Sequence, residues 1–168
     1  MRAAARTPRA TVALLAAALA ATACHAGPGP SRGIFAGHVP PEVGLHDGRL
    51  AACPPRPNCV SSVASDAEHR VAPLPMTGDA TAAMLQVAEV VRGEPGASVV
   101  TQRPDYLHAE FTSAVFGFVD DVEFHAGRGR IDVRSASRLG YYDFGVNRRR
   151  VEQLRGALDA SNAAGRTR

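Results

Sequence analysis

The sequence predicts an α+β domain: a two-layer sandwich in which an antiparallel sheet of about four strands carries two helices on one face. Three observations lead there. Apolar residues at Met84, Leu85, Val87, Ala88 and Val91 follow helix spacing. Between Ala97 and Ser137 lie four short stretches of alternating or β-branched residues, divided by glycines and a proline. A second helical pattern near the end puts Val151, Leu154 and Leu158 on one stripe.

Taken in order, the chain opens with MRAAARTPRATVALLAAALAATACHAGPGP, a basic start, an apolar run from Ala10 to Ala21 and small residues before Cys24. That is the layout of a secretory signal over residues 1–23. The run is shorter than the roughly 20 residues that span a bilayer. Leu19 to Cys24 resembles the bacterial lipobox, in which the cysteine is diacylated and becomes the new N-terminus. Ala21 departs from it, since leucine is usual there. Ordinary cleavage after Ala23 or Ala26, releasing a soluble secreted product, is the alternative. With Cys24 lipidated, residues 24–33 form a flexible tether on the periplasmic face of the envelope.

Removing Arg2, Arg6 and Arg9 with the leader leaves 16 arginines against 16 acids, because the chain has no lysine. A neutral mature chain gives no electrostatic case for nucleic acid. Lipidating Cys24 also leaves Cys53 and Cys59 as a pair in an oxidising compartment, separated by three prolines in CPPRPNC. A disulfide is expected. Metal binding competes weakly, because no second Cys or His pair stands at ligand spacing.

One domain is expected over residues 34–160. Residues 34–75, rich in Pro, Gly and His, show no period and read as an ordered wrapping with a short strand at Arg70 to Leu74. The first helix spans Asp79 to Arg92, capped by Asp79 or Thr77 and stopped by Gly93 and Pro95. Strands follow at Ala97 to Arg103, Tyr106 to Thr112, Phe118 to Phe124 and Arg130 to Ser137, the last two joined through HAGRG. The final helix runs from about Val146 to Leu158, and residues 161–168 read as a disordered tail.

FVDDVEF and RSASRLGYYDFGVNRRR concentrate opposite charges in one third of the chain. Alternation along a strand puts Asp121 and Glu123 on the face away from the helices, with Arg134 and Arg138. Asp120 falls on the apolar face, where a carboxylate must be paired or hydrogen-bonded; Ser135, Ser137, Asn147 and the arginines ahead of the last helix are candidates. Arg148, Arg149 and Arg150 crowd a helix start that disfavours cations, so Asp143, Asp120, Asp121 or an external anion should offset them. Asp120, Asp121, Arg134, Ser135, Ser137, Arg138, Asp143, Asn147 and Arg148 therefore form a candidate cluster, structural or ligand-binding. An outer-face position predicts that Glu123→Ala costs little.

These blocks resemble a family. CPPRPNCVSS, FGFVDDVEF and RSASRLGYYDFGVNRRRVEQLR are similar to the signature blocks of DUF1499, a domain of unknown function in bacterial and plastid proteins, from about Gly44 to Leu158. The resemblance implies a shared domain and no reaction. Its signature residues fall here on Cys53, Pro57, Asn58, Cys59 and Ser61, on Asp120, Asp121, Glu123 and Phe124, and on Arg134, Ser135, Ser137, Arg138, Gly140, Asp143, Gly145, Asn147 and Arg148. Tyr142 stands where a small polar residue is common in the family. No GxSxG, HExxH, P-loop or dinucleotide motif occurs. The functional expectation is a non-enzymatic envelope lipoprotein, without metal or cofactor, whose domain binds a small polar ligand or an envelope protein or is purely structural. A hydrolase using Asp120 or Asp121 as base is the alternative.

Overall fold

The computed structural model describes residues 34–166. The export segment, Cys24, the tether and the last two residues of the expected tail lie outside them.

The described chain opens with a hairpin, β1 (Leu45–His46) and β2 (Arg49–Leu50), then β3 (Cys59–Ser61) and β4 (Leu74–Pro75). Next come α1 (Ala80–Arg92), β5 (Ala97–Gln102), β6 (Tyr106–Thr112), β7 (Val119–Gly127), β8 (Arg130–Ser137) and α2 (Val146–Arg166). The main sheet is antiparallel, in the order β3-β8-β7-β6-β5, and β4 pairs with the other half of β8. It therefore has six strands rather than about four. The additional strands are two and three residues long, too short to carry an alternation. The strand expected at Arg70 to Leu74 begins only at Leu74, with Arg70 making a single bridge to Ser61.

Asp79 caps α1 by accepting the Ala82 N–H at 2.8 Å. Its sheet-facing stripe is Ala83, Met84, Val87, Ala88 and Val91. Leu85, expected on that stripe, is 55% exposed, because one residue turns the helix by about 100°. Val151, Leu154 and Leu158 of α2 are buried as predicted. The helix does not stop at Leu158 but continues through the first part of the expected tail to Arg166. Gln86 of α1 holds this extension through Ser161 and Asn162.

Both helices lie on one face of the sheet, against Leu107, Ala109, Phe111, Val122, Phe124, Ile131 and Val133. Each large apolar side chain so buried contributes about 1.5–3 kcal/mol. Gly44 and the β1–β2 hairpin lie against the other face: the Gly44 N–H reaches Glu123 at 2.7 Å, and β2 packs over β7 and β8. The face expected to meet solvent is thus under cover. Among the described residues, no helix is long and apolar enough to cross a membrane.

Candidate functional site

Pairing β6, β7 and β8 in register stacks Tyr106, His108 and Glu110 beside His125, Glu123 and Asp121, and those beside Asp132, Arg134 and Ala136. Asp121, Glu123, Arg134 and Arg138 come together on the face away from the helices, as the alternation predicts. They are not on the surface. Asp121, Glu123 and Arg134 are almost wholly buried, and the Arg138 side chain is inaccessible.

Charges at this depth are held only by partners. Arg138 donates through Nε to Asp121 Oδ2 at 2.8 Å and through Nη2 to Asp121 Oδ1 at 2.7 Å, and it also reaches Glu110. His108 Nε2 lies 2.7 Å from Asp121 Oδ1; the carboxylate can only accept, so that nitrogen carries the proton. Burial works to raise the Asp121 pKa, but the hydrogen bonds from Arg138 and His108, and their charge, outweigh it and hold the carboxyl below its usual range. Arg138 is held still more firmly protonated, first by its bond to Asp121.

Alongside, Glu123 accepts from Arg134 Nη1 at 3.0 Å, the Tyr106 hydroxyl at 2.8 Å and the Gly44 N–H at 2.7 Å. Burial, then the Glu123 charge, pushes the Tyr106 phenol up far enough to stay a neutral donor. Arg134 Nε and Arg138 Nη1 have no partner among the described residues.

A second cluster occupies the helix face. Asp120 accepts from Arg150 Nη2 at 2.7 Å, while Arg150 Nη1 donates to Asn147 Oδ1 at 2.8 Å and to Ser135 Oγ at 3.3 Å. Its guanidinium also lies over the Phe111 ring, 4.7 Å from the centroid. Asn147, fully buried, accepts from Ser135 and donates at 3.0 Å both to Ser137 Oγ and to the Asn58 carbonyl. Asn58 in turn donates to the Gly140 carbonyl at 2.8 Å. The Cys53–Cys59 disulfide is formed and closes the loop that carries Asn58 into this network.

Asp143 touches the second cluster only through the Asn147 backbone. Its carboxylate takes the N–H groups of Gly145 and Asn147 at 2.9 and 2.8 Å, which places an anion at the start of α2. Arg148 does not join Asp120. It donates to the carbonyls of Arg70 and Glu68 at 2.7 and 2.6 Å, strapping that loop to the helix.

Sequence reasoning thus named Arg150 among the three arginines that Asp120 could offset but placed Arg148 in the cluster instead, and it missed His108, Glu110 and Tyr106. Arg150 follows Asn147 by three residues and so shares its helix side. The other three alternate along β6, on the same face as Asp121 and Glu123 of the neighbouring strand.

Both clusters are internal. An open groove of about 860 Å³ lies where the β1–β2 turn, the β7–β8 turn and residues 62–73 meet. Arg49, Arg70, Arg128 and Arg130 line it, against Asp47 and Asp132, with His125 and Ser62. Arg130 is paired with Asp132 at 3.0 Å and Arg70 donates to the Ala64 carbonyl at 3.1 Å. The side chains of Arg49 and Arg128 have no hydrogen-bond or ion-pair partner among the described residues. Arg128 also adopts φ 53°, followed by Gly129 at φ 73° in the two-residue turn between Gly127 and Arg130. Glycine and asparagine suit that left-handed position; arginine does not.

These features define a disulfide-closed α+β domain whose sheet is charged on one face, apolar on the other, and sealed on both. The chain belongs to the DUF1499 family, described as protein of unknown function, whose family model matches residues 49–158. No curated protein matches it.

Proposed function

We propose that the chain is an exported, lipid-anchored envelope domain that binds an anionic ligand without transforming it, and that the groove at the β7–β8 turn is the binding site. One observation carries this reading: two partnerless arginines face a groove in which four arginines meet two aspartates. One of them, Arg128, occupies a backbone position that disfavours its residue type by about 1–2 kcal/mol. Multiple guanidinium groups suit a phosphorylated or carboxylated ligand, which they can hold bidentately. The leader and Cys24 support export and anchoring.

Titration calorimetry with inorganic tripolyphosphate as probe tests the groove. Arg49→Gln with Arg128→Asn should weaken binding at least tenfold, and added salt should weaken it in the wild type. Equal affinity in the two proteins at low salt removes the groove reading. Metabolic labelling with a palmitate analogue tests the anchor, which is lost if wild type and Cys24→Ala label alike. The hydrolase alternative draws no support from the geometry. Asp120 is bound to Arg150, and Asp121, held below the usual carboxylate range, is poorly matched to a general base near neutral pH.

A further inference from the structure

We infer that the end of the sheet opposite the groove, an exposed apolar rim, rests on the surface of the bilayer to which the chain is tethered; this rests on the lipid-anchor reading above. β6 ends, β7 begins, β8 ends and α2 starts at this rim, so the loops 113–118 and 138–145 emerge there together. They display Val115, Phe116, Tyr141, Tyr142 and Phe144, of which Val115 is 82% and Phe144 78% exposed. The first described residues join them: Phe35 stacks on Phe118 with centroids 5.1 Å apart, and Phe116 lies 6.1 Å from Phe118. Leu139 closes against Gly37, where an added Cβ would come within 3.2 Å of it. Tyr142 and Phe144 pack edge to face at 5.2 Å. The apolar surface is therefore one rim and not a scatter of single residues, and rims of this kind mark interaction sites.

Its chemistry and its place on the chain select the bilayer as occupant. Residues 34–41, 113–118 and 139–146 contain one charged residue, Asp143, and its carboxylate is spent on the N–H groups of Gly145 and Asn147. Within these segments no other acid is present to repel phospholipid headgroups, while the exposed Arg149, donating to the Phe144 carbonyl at 2.9 Å, flanks the rim at the start of α2. Aromatic and aliphatic tips beside an arginine suit an anionic membrane interface. The described chain, moreover, begins at this rim, with Ile34 next to Phe35. Ten residue steps separate Cys24 from Ile34, and at no more than about 3.6 Å each they keep Ile34 within about 36 Å of the anchor. Such a leash makes contact effectively intramolecular, so a weak patch suffices. Docking here turns the arginine groove away from the membrane by the length of β7, about 30 Å at 3.3 Å per residue.

The chain contains no tryptophan, so single tryptophans report without background. Full-length protein carrying Phe116→Trp, Phe144→Trp or Thr77→Trp is reconstituted into vesicles of phosphatidylethanolamine and phosphatidylglycerol, with plain or brominated acyl chains. Phe116 and Phe144 are exposed and accept tryptophan without repacking. Thr77 lies beyond Pro75, which pairs with Arg130 at the far end of the sheet. Brominated lipid should reduce emission about twofold or more at positions 116 and 144 and leave position 77 unchanged. Equal quenching at all three, or none at 116 and 144, overturns the docking. A blue shift at 116 and 144 without bromine quenching also overturns it, because protein then covers the rim. The intact mass of the same preparation reads the anchor separately. Quenching with an unlipidated Cys24 removes the anchor and leaves the docking; a lipidated Cys24 without quenching does the reverse.

Discussion

Glu123→Ala should cost about 3–5 kcal/mol, the range for removing one partner of a buried ion pair. Glu123 is fully buried and its carboxylate accepts from Arg134, Tyr106 and Gly44. Without it, Arg134 keeps a guanidinium at 1% exposure, with Glu42 at 4.0 Å as its remaining acid and Nε already without a partner. The Tyr106 hydroxyl and the Gly44 N–H lose their acceptor as well. A stranded buried donor costs about 1–3 kcal/mol, but the tyrosine can turn and the Gly44 segment can lift, so the penalties do not simply add. Against a total stability of about 5–15 kcal/mol, the loss is severe. An exposed pair is worth at most about 1 kcal/mol, which is what an outer-face Glu123 implies from sequence, so one measurement separates the two. Urea unfolding followed by circular dichroism gives the difference. A loss below about 1 kcal/mol would mean that the cover over the sheet is not closed in solution, and would refute the reasoning. Should the alanine variant fail to fold, Glu123→Gln keeps an acceptor, removes the charge and should cost about 1.5–3 kcal/mol. Both variants should also expose residues 34–52 to limited proteolysis, since the Gly44 bond is lost or weakened.

A double-mutant cycle on unfolding free energy should give a coupling above about 1 kcal/mol for Asp120 with Arg150, and one within about 0.5 for Asp120 with Arg148. The carboxyl of Asp121 is depressed in the folded state, so its stabilisation is present above the unfolded value of about 3.9 and is lost as pH falls through the lower folded value. Unfolding curves below about pH 4 should accordingly be less pH-dependent in Asp121→Asn than in wild type. Arg128→Asn should raise the melting temperature by relieving roughly 0.5–1 kcal/mol of left-handed strain while weakening tripolyphosphate binding; a lower melting temperature contradicts the turn assignment. Replacing Glu123 and Arg134 together by Leu and Met should cost less than Glu123→Ala alone and leave amide exchange in β7 and β8 faster than in wild type; slower exchange would contradict a role in fixing the register.

The three longest strands were legible because alternation survives over seven or more residues. β3 and β4 owe their pairing to β8 and not to their own pattern. The β1–β2 hairpin did leave a signal, the Asp47-Gly48 pair, which fits a two-residue turn; its two-residue strands offered nothing to confirm it. For Glu123, alternation gave the correct face but not what lies over it, because a wrapping without periodicity does not announce its partner. The choice between Arg148 and Arg150 was beyond the sequence for a geometric reason. They border the stripe of Val151, Leu154 and Leu158 on opposite sides, and the direction in which α2 crosses the sheet decides which one meets Asp120.

That crossing leads back to why the sheet carries so much charge inside. Buried ion pairs contribute little net stability compared with apolar replacements, because desolvation offsets their attraction. What they do impose is register. β7 places Asp120 among residues that face the helices and Asp121 and Glu123 among those that face the cover, and β8 answers with Ser135 and Ser137 on one side and Arg134 on the other. A slip of one residue exchanges the faces of a whole strand. Glu123 would then face the apolar helix layer without Arg134, and Asp120 would lose Arg150. With much of the apolar content in alanine, hydrophobic patterning alone penalises such a slip weakly, and the charges penalise it heavily. Buried on both faces, the charged third of the chain is suited to act as a register lock, and recognition is proposed to fall to the surfaces it holds in place: the arginine groove at one end of the sheet and the apolar rim at the other.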